Sequence, residues 1–226
     1  MQFINKETVF SICIVSKNKS EIETNDGLTL SSLPNCLVSL AKLHTYLTNT
    51  EIIIADFRSD DWPLDEWVSD ILKNKVRYKI VKVDAPFSRG LGRNIAFRHS
   101  QGRIIFFMDA DMIIDNPDIF FEAKDIVRQD AAYFPVCYSY YNHQRKDGWW
   151  RHTGFGNLIV SRENFNKYGC WDEKRSWGGE DDKMFLTLAR HISIVRKRAQ
   201  GFYHQWHPDA PVKRKKVSWI KRLFGG

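Results

Sequence analysis

The sequence predicts an α/β domain with a mainly parallel central sheet flanked by helices. Three observations carry this. Short apolar runs rich in β-branched residues recur through the first half of the chain. Stretches with helical spacing separate them, the alternation that builds a parallel sheet. Two of the runs end directly on aspartate, and such sheets bind ligands at the carboxyl ends of their strands.

Taken in order, Val9–Ser16 reads as a first, central strand. Ser31–Leu47 reads as a helix, with Leu33, Leu37, Leu40, Leu43 and Leu47 on its apolar face and Pro34 in its first turn. Glu51–Phe57 is a second strand that passes through Asp56. Asp65–Leu72 is a short helix, and Tyr78–Val83 a third strand. Gly90–Ser100 is a helix entered through a glycine-containing turn. Arg103–Met108 is a fourth strand running straight into Asp109-Ala110-Asp111. Beyond it the pattern weakens. Asn157–Ser161 reads as a strand and Asp182–His191 as a helix. Val136–Gly156, aromatic and polar, reads as a long loop able to close over a ligand.

A chain of 226 residues, 43% of them hydrophobic, is sized for one large domain with a substantial core. The reading assigns 1–211 to that domain and 212–226 to a basic tail. Lys213, Arg214, Lys215, Lys216, Lys221 and Arg222 lie in the tail with no acid among them. The net charge of +7 less those six leaves +1 for the rest. A nucleic-acid binder more often carries a basic face on the folded body, so this distribution argues against that class, and no nucleic-acid partner is expected. No apolar run is long enough to span a bilayer, and Val9–Val15 is too short for a secretory signal. The expectation is a cytoplasmic protein, with Cys13, Cys36, Cys137 and Cys170 reduced and mostly buried.

The chemistry rests on two acidic motifs. A buried strand delivers Asp109 and Asp111 to the functional edge. In extended backbone residues i and i+2 point the same way, so both carboxylates could face one cation. A divalent ion bridging phosphates needs such hard oxygen ligands. The second motif is Trp177-Gly178-Gly179-Glu180-Asp181-Asp182 at a helix start. Acids suit a helix's first turn, but three in succession point about 100° apart and cannot share one task. One can serve as a general base while its neighbours hold other hydroxyls.

Asp109-Ala110-Asp111, Trp177–Asp182 and Gly201-Phe202-Tyr203-His204-Gln205 occur in that order. Together they resemble the carboxy-terminal galactosyltransferase domain and related GT-A transferases of the chondroitin-polymerase and polypeptide N-acetylgalactosaminyltransferase kind. Ser88-Arg89-Gly90-Leu91-Gly92-Arg93-Asn94 is similar to the helix start of those enzymes. The resemblance implies the GT-A nucleotide-diphospho-sugar transferase fold from Val9 to Pro208. It implies Asp111 as a metal ligand, assisted by Asp109, and one late histidine completing the site: His204, with His207 as the alternative. Asp181 would be the base, Glu180 and Asp182 would hold acceptor hydroxyls, and Trp177 would stack on a sugar. Asp56, Arg89, Arg93, Asn94 and Asp109 would hold the donor. A carboxylate–imidazole set suits Mn²⁺ better than Mg²⁺.

The expected reaction is an inverting transfer of a hexose or N-acetylhexosamine from a UDP-sugar to a glycan hydroxyl, in surface polysaccharide synthesis. Trp149 and Trp150 offer further stacking faces. A retaining enzyme of the same fold and a non-catalytic sugar-binding domain are the alternatives. Val212–Phe224 gathers Val217, Trp219, Ile220, Leu223 and Phe224 on one side of a helical wheel, opposite Arg214, Lys215, Lys221 and Arg222. It reads either as an anchor to an anionic membrane surface, suited to a lipid-linked acceptor, or as a solvated tail.

Overall fold

The computed structural model describes residues 9–25, 27–173 and 178–208. Trp177 and the tail, with the boundary expected at 211, lie outside the described residues. The first half runs β1 (Phe10–Ser16), β2 (Ile22–Glu23), β3 (Thr29–Leu30), α1 (Ser32–Lys42), β4 (Thr50–Asp56), α2 (Leu64–Leu72), β5 (Arg77–Lys82), α3 (Arg89–Arg98) and β6 (Ile104–Asp109). The second half runs β7 (Met112–Ile114), α4 (Asp118–Arg128), β8 (Ala131–Tyr133), β9 (Val136–Tyr140), β10 (Gly148–Trp150), β11 (Leu158–Ser161), α5 (Arg162–Tyr168), α6 (Glu180–Ala189), β12 (Ser193–Val195) and β13 (Arg198–His204).

Seven strands form the central sheet in the order β12-β8-β11-β6-β1-β4-β5. β1 is parallel to β4 and β6, and β4 to β5, so these strands end on the same edge. β11 is the exception, antiparallel to both β6 and β8. The period-2 alternation of β1 divides the core into two layers. Ile12 and Ile14 pack with Leu33, Leu37 and Leu40 of α1, Trp67 of α2 and Phe120 of α4. Cys13 packs on the other face with Ala96 of α3, Phe165 of α5 and Leu188 of α6. Each fully buried aliphatic or aromatic side chain contributes about 1.5–3 kcal/mol, so one Leu37→Ala cavity would remove about 2–5 kcal/mol.

Three sequence readings are corrected. The first helix ends at Lys42 rather than running to Leu47; turns at 43–47 still bury Leu43 and Leu47. The acidic helix begins at Glu180, so all three acids occupy its first turn. The segment Val136–Gly156 is not a loop throughout. β9 and β10 pair antiparallel within it, and β9 joins a second sheet of order β10-β9-β13-β7. Its alternation was obscured because Tyr138, Tyr140 and Trp150 are large on the outer face, while Cys137 and Ser139 are the buried partners.

The second sheet positions the candidate site. β13 is antiparallel to β7, with His204 opposite Met112, and parallel to β9, with His204 beside Ser139. The end of the chain's last described strand is thereby stitched to the residue after Asp111.

Candidate active site

Asp109 and Asp111 leave the sheet edge in different directions. β6 ends at Asp109, the chain turns at Ala110–Asp111, and β7 begins at Met112. The turn breaks the extended backbone on which a shared direction depended. Asp109 goes to Arg93, and Asp111 goes to two histidines.

Around Asp111, one oxygen lies 3.2 Å from His207 Nε2 and the other 3.8 Å from His204 Nε2. The three side chains offer ligand atoms within 4.8 Å of one another. His207 Nδ1 lies 3.0 Å from the Pro208 carbonyl, which can only accept, so that nitrogen carries the proton. In the neutral ring Nε2 then aims a lone pair at a carboxylate oxygen. Only a proton or a cation between them relieves that opposition. Ser139 Oγ lies 3.1 Å from His204 Nδ1 and fixes that ring. Asp111 Oδ1 is buried and has no hydrogen-bond partner. These residues fit a divalent ion: three ligand atoms of the right chemistry, one orphaned, with oriented imidazoles.

The electrostatics agree. Burial alone would raise the Asp111 carboxyl, but the His207 contact and the charges of His204 and Lys19 outweigh it and hold the group well below the usual carboxylate range. Burial lowers His204, while the bond to Asp111 raises His207. Gln205 clamps this corner. Its N–H donates to the Asp111 carbonyl at 2.9 Å and its side-chain amide donates to the Ser32 carbonyl at 2.9 Å. Its side-chain oxygen accepts from Asn35 at 3.0 Å.

Arg93 organises the neighbouring half. Its guanidinium is 2% exposed and donates to Asp181 Oδ1 and Asp109 Oδ1, each at 2.8 Å. The ring of Trp171 lies beneath it, 4.2 Å from the guanidinium carbon. A buried cation is tolerated only when paired, and here two carboxylates satisfy it. Gly156 closes the cluster: a Cβ there would sit 2.7 Å from Asp109 Oδ2 and 3.3 Å from Asp181 Oδ2. Asp181 arrives through Gly178 and Gly179, at φ +92° and +88°, a left-handed entry that side chains resist. Glu180 is buried against Arg89 at 2.6 Å, whereas Asp182 is exposed.

The other expected donor residues lie on the same edge with their hydrogen bonds engaged. Asp56 accepts from Ser59 N–H at 3.1 Å and from Ser59 Oγ at 2.6 Å. Beside it a cleft of about 470 Å³ opens at the ends of β1, β4 and β5, lined by Lys17, Phe57, Arg58, Val83, Asp84 and Phe87 among others. Asn94 holds the segment after α5, donating to the Trp171 carbonyl at 2.9 Å and Glu173 at 2.8 Å and accepting from Trp171 N–H at 3.0 Å.

Residues 11–180 match the family model described as Glycosyl transferase family 2. The chain belongs to glycosyl transferase family 2. Chondroitin sulfate N-acetylgalactosaminyltransferase 2 of Mus musculus is 29% identical to it over 160 residues, covering 58% of this chain and 28% of the relative. Chondroitin sulfate N-acetylgalactosaminyltransferase 1 of Homo sapiens is 25% identical over 153 residues, covering 58% and 29%. The chain thus spans under a third of the length of these curated relatives. Among solved structures, S. aureus TarS 1-349 superposes with a TM-score of 0.66 at 17% identity, covering 87% of this chain and 60% of that one. TarS 1-349 in complex with UDP-GlcNAc gives the same score at 16% identity. The fold of this family 2 glycosyltransferase is therefore GT-A.

Several residues of the candidate site escaped the sequence reading. Ser139 and Gln205 support the histidines, Gly156 and Trp171 enclose Arg93, and Asn157 Oδ1 accepts from Asp109 N–H at 3.0 Å. Lys19 stands 3.8 Å from Asp111 Oδ2. None sits within the acidic motifs. The only available signal was the Gln after His204, which the sequence offered without its reason. The four cysteines are free thiols, with Cys170 exposed and the others buried. Among the described residues no helix is long and apolar enough to cross a membrane.

Proposed function

We propose that this family 2 transferase performs a metal-dependent, inverting transfer of a hexose or N-acetylhexosamine from a UDP-sugar to a glycan hydroxyl. The observation that carries it is one edge bearing two adjacent groups of different chemistry. Asp111, His204 and His207 are suited to a cation, and Asp181 is held by Arg93 next to Asp109.

In this reading Asp181 is the general base. Arg93 occupies one of its oxygens, and Oδ2, with the Arg89 guanidinium 3.9 Å away, takes the proton of the attacking hydroxyl. Glu180 and Asp182 orient the acceptor, and Trp177 stacks on it. Asp109, Arg89 and Arg93 surround the donor's sugar, and Asp56 with the adjoining cleft takes the base. Asn94 acts through the segment it pins. A divalent ion, when bound, supplies Lewis-acid neutralisation of charge on the departing diphosphate. Imidazole ligands favour Mn²⁺ over Mg²⁺. Trp149 lies opposite Ser139 in the β9–β10 register, hence on the face of His204, and is 40% exposed. It suits an acceptor sugar there, whereas Trp150 packs on Tyr138 on the outer face.

UDP as the nucleotide draws support from the TarS complexes with UDP-GlcNAc and UDP, and a glycan acceptor from the chondroitin relatives. A surface polysaccharide on a lipid carrier is the proposed acceptor. The basic tail would then hold the enzyme at the cytoplasmic face of the membrane. The deciding experiment measures UDP release over a panel of UDP-sugars with Mn²⁺, with Mg²⁺ and with chelator, followed by NMR of the product's anomeric configuration. Release dependent on Mn²⁺ and an inverted product are expected. Release unaffected by chelator would overturn the metal role, and a retained configuration the single displacement.

A further inference from the structure

Lys19 belongs to no motif, yet its ammonium stands 3.8 Å from Asp111 Oδ2, the oxygen that also faces His207. Its placement is built. The Lys19 carbonyl accepts from Leu33 N–H at 2.9 Å, fixing the loop to α1. On one side Asn18 N–H donates to Ser59 Oγ at 3.0 Å. On the other, Ser20 and Glu21 N–H both donate to Asp61 Oδ2, at 2.7 and 2.9 Å. The backbone is thus held on both flanks while the flexible four-carbon stem remains 30% exposed. Two residues earlier, Lys17 lines the cleft beside Asp56. The loop therefore runs from the nucleotide cleft to the cation site.

The charges of the site pair off around this lysine. Arg93 answers Asp109 and Asp181, and Arg89 answers Glu180. That leaves Asp111, buried, with Lys19 as its fixed positive neighbour. A divalent ion entering between Asp111, His204 and His207 would replace that neutralisation. It would also bring a second, like charge within a few ångströms of the ammonium.

Resting on the metal-site reading above, we propose that Lys19 is a tethered counter-ion. It stabilises Asp111 while the metal is absent, then turns to the donor's diphosphate once the ion is bound. The two states make metal entry and donor binding mutually supportive. The ion releases the lysine, and the diphosphate, carrying negative charge, accepts it. The loop's fixed backbone makes this a rotamer change of one side chain rather than a loop movement.

The test compares wild type with Lys19→Met, which keeps the stem and removes the charge, and with Lys19→Arg. Calorimetric titration with Mn²⁺ alone should show Lys19→Met binding the ion about tenfold more tightly, since a like charge near the site is removed. Titration with UDP at saturating Mn²⁺ should show the same variant binding about tenfold more weakly, with Lys19→Arg close to wild type. Unchanged or weaker Mn²⁺ binding in Lys19→Met, beside normal binding in wild type, would overturn the counter-ion role alone. Unchanged UDP affinity would overturn the second state. Failure of the wild type to bind Mn²⁺ would overturn the metal-site reading and this proposal with it.

Discussion

Arg93 Nη1 donates to Asp181 Oδ1 at 2.8 Å, joining residues 88 positions apart, while its Nη2 holds Asp109 at the same distance. One buried cation therefore sets the spacing between the first acid of the Asp109-Ala110-Asp111 motif and the proposed base. Arg93→Met should unfold more easily by about 3 kcal/mol, the lower end for a broken buried pair because both carboxylates are partly solvated. Arg93→Lys can reach one carboxylate but not fork to two, so it should recover some stability and little turnover. Urea unfolding and steady-state rates on both variants check this. A fully active Arg93→Lys would mean the fork is not needed.

Asp181→Asn should lower turnover by about two to four orders of magnitude, the usual worth of a general base, while UDP binding persists. Asp182 is exposed and outside the Arg93 cluster, so Asp182→Asn should cost much less. The reverse ranking would move the base one residue along.

Asp111→Asn should abolish detectable Mn²⁺ binding. His204→Ala and His207→Ala should each weaken it by at least about tenfold. Calorimetry on the three variants decides between one late histidine and two. Loss in only one histidine variant would assign the other ring to structure.

Gly156→Ala places a methyl 2.7 Å from Asp109 Oδ2 and 3.1 Å from Arg93 Nη2. Overpacking of this kind costs about 1–3 kcal/mol. Because it pushes on the paired groups themselves, turnover should fall more than stability. Thermal melts read together with rates test this, and wild-type kinetics in the variant would show that the cluster can relax.

The tail beyond Pro211 lies outside the described residues, and its proposed role is independent of the site. Each cation near an anionic surface contributes on the order of 1 kcal/mol. The full chain should float with anionic liposomes at low salt and release at high salt, while a chain ending at Pro211 should not float. Identical behaviour of the two would remove the anchor.

The sequence by itself determined the sheet of the first half. β1, β4 and β6 are rich in apolar residues because they are covered on both faces, and burial leaves its mark on nearly every residue, whereas the edge strand β5 shows only the alternation of Tyr78, Ile80 and the lysines. It also located Asp109, Asp111 and Asp181, since acids at a strand end or after a glycine pair stand out against apolar surroundings. Only the tertiary structure decided how they divide. The turn at Ala110–Asp111 sends Asp109 to Arg93 and Asp111 to the histidines, a matter of one backbone turn that side-chain patterns do not encode. The sequence favoured His204 over His207 but could not show that both rings reach Asp111, because that depends on the pairing of β13 with β7, which joins His204 to Met112 across about ninety residues of chain. Lys19 and Gly156 were silent for the same reason, and Gln205 was visible only as a motif residue beside His204 without its role. Each acts on a partner more than forty positions away, and no local period records a contact that only folding creates.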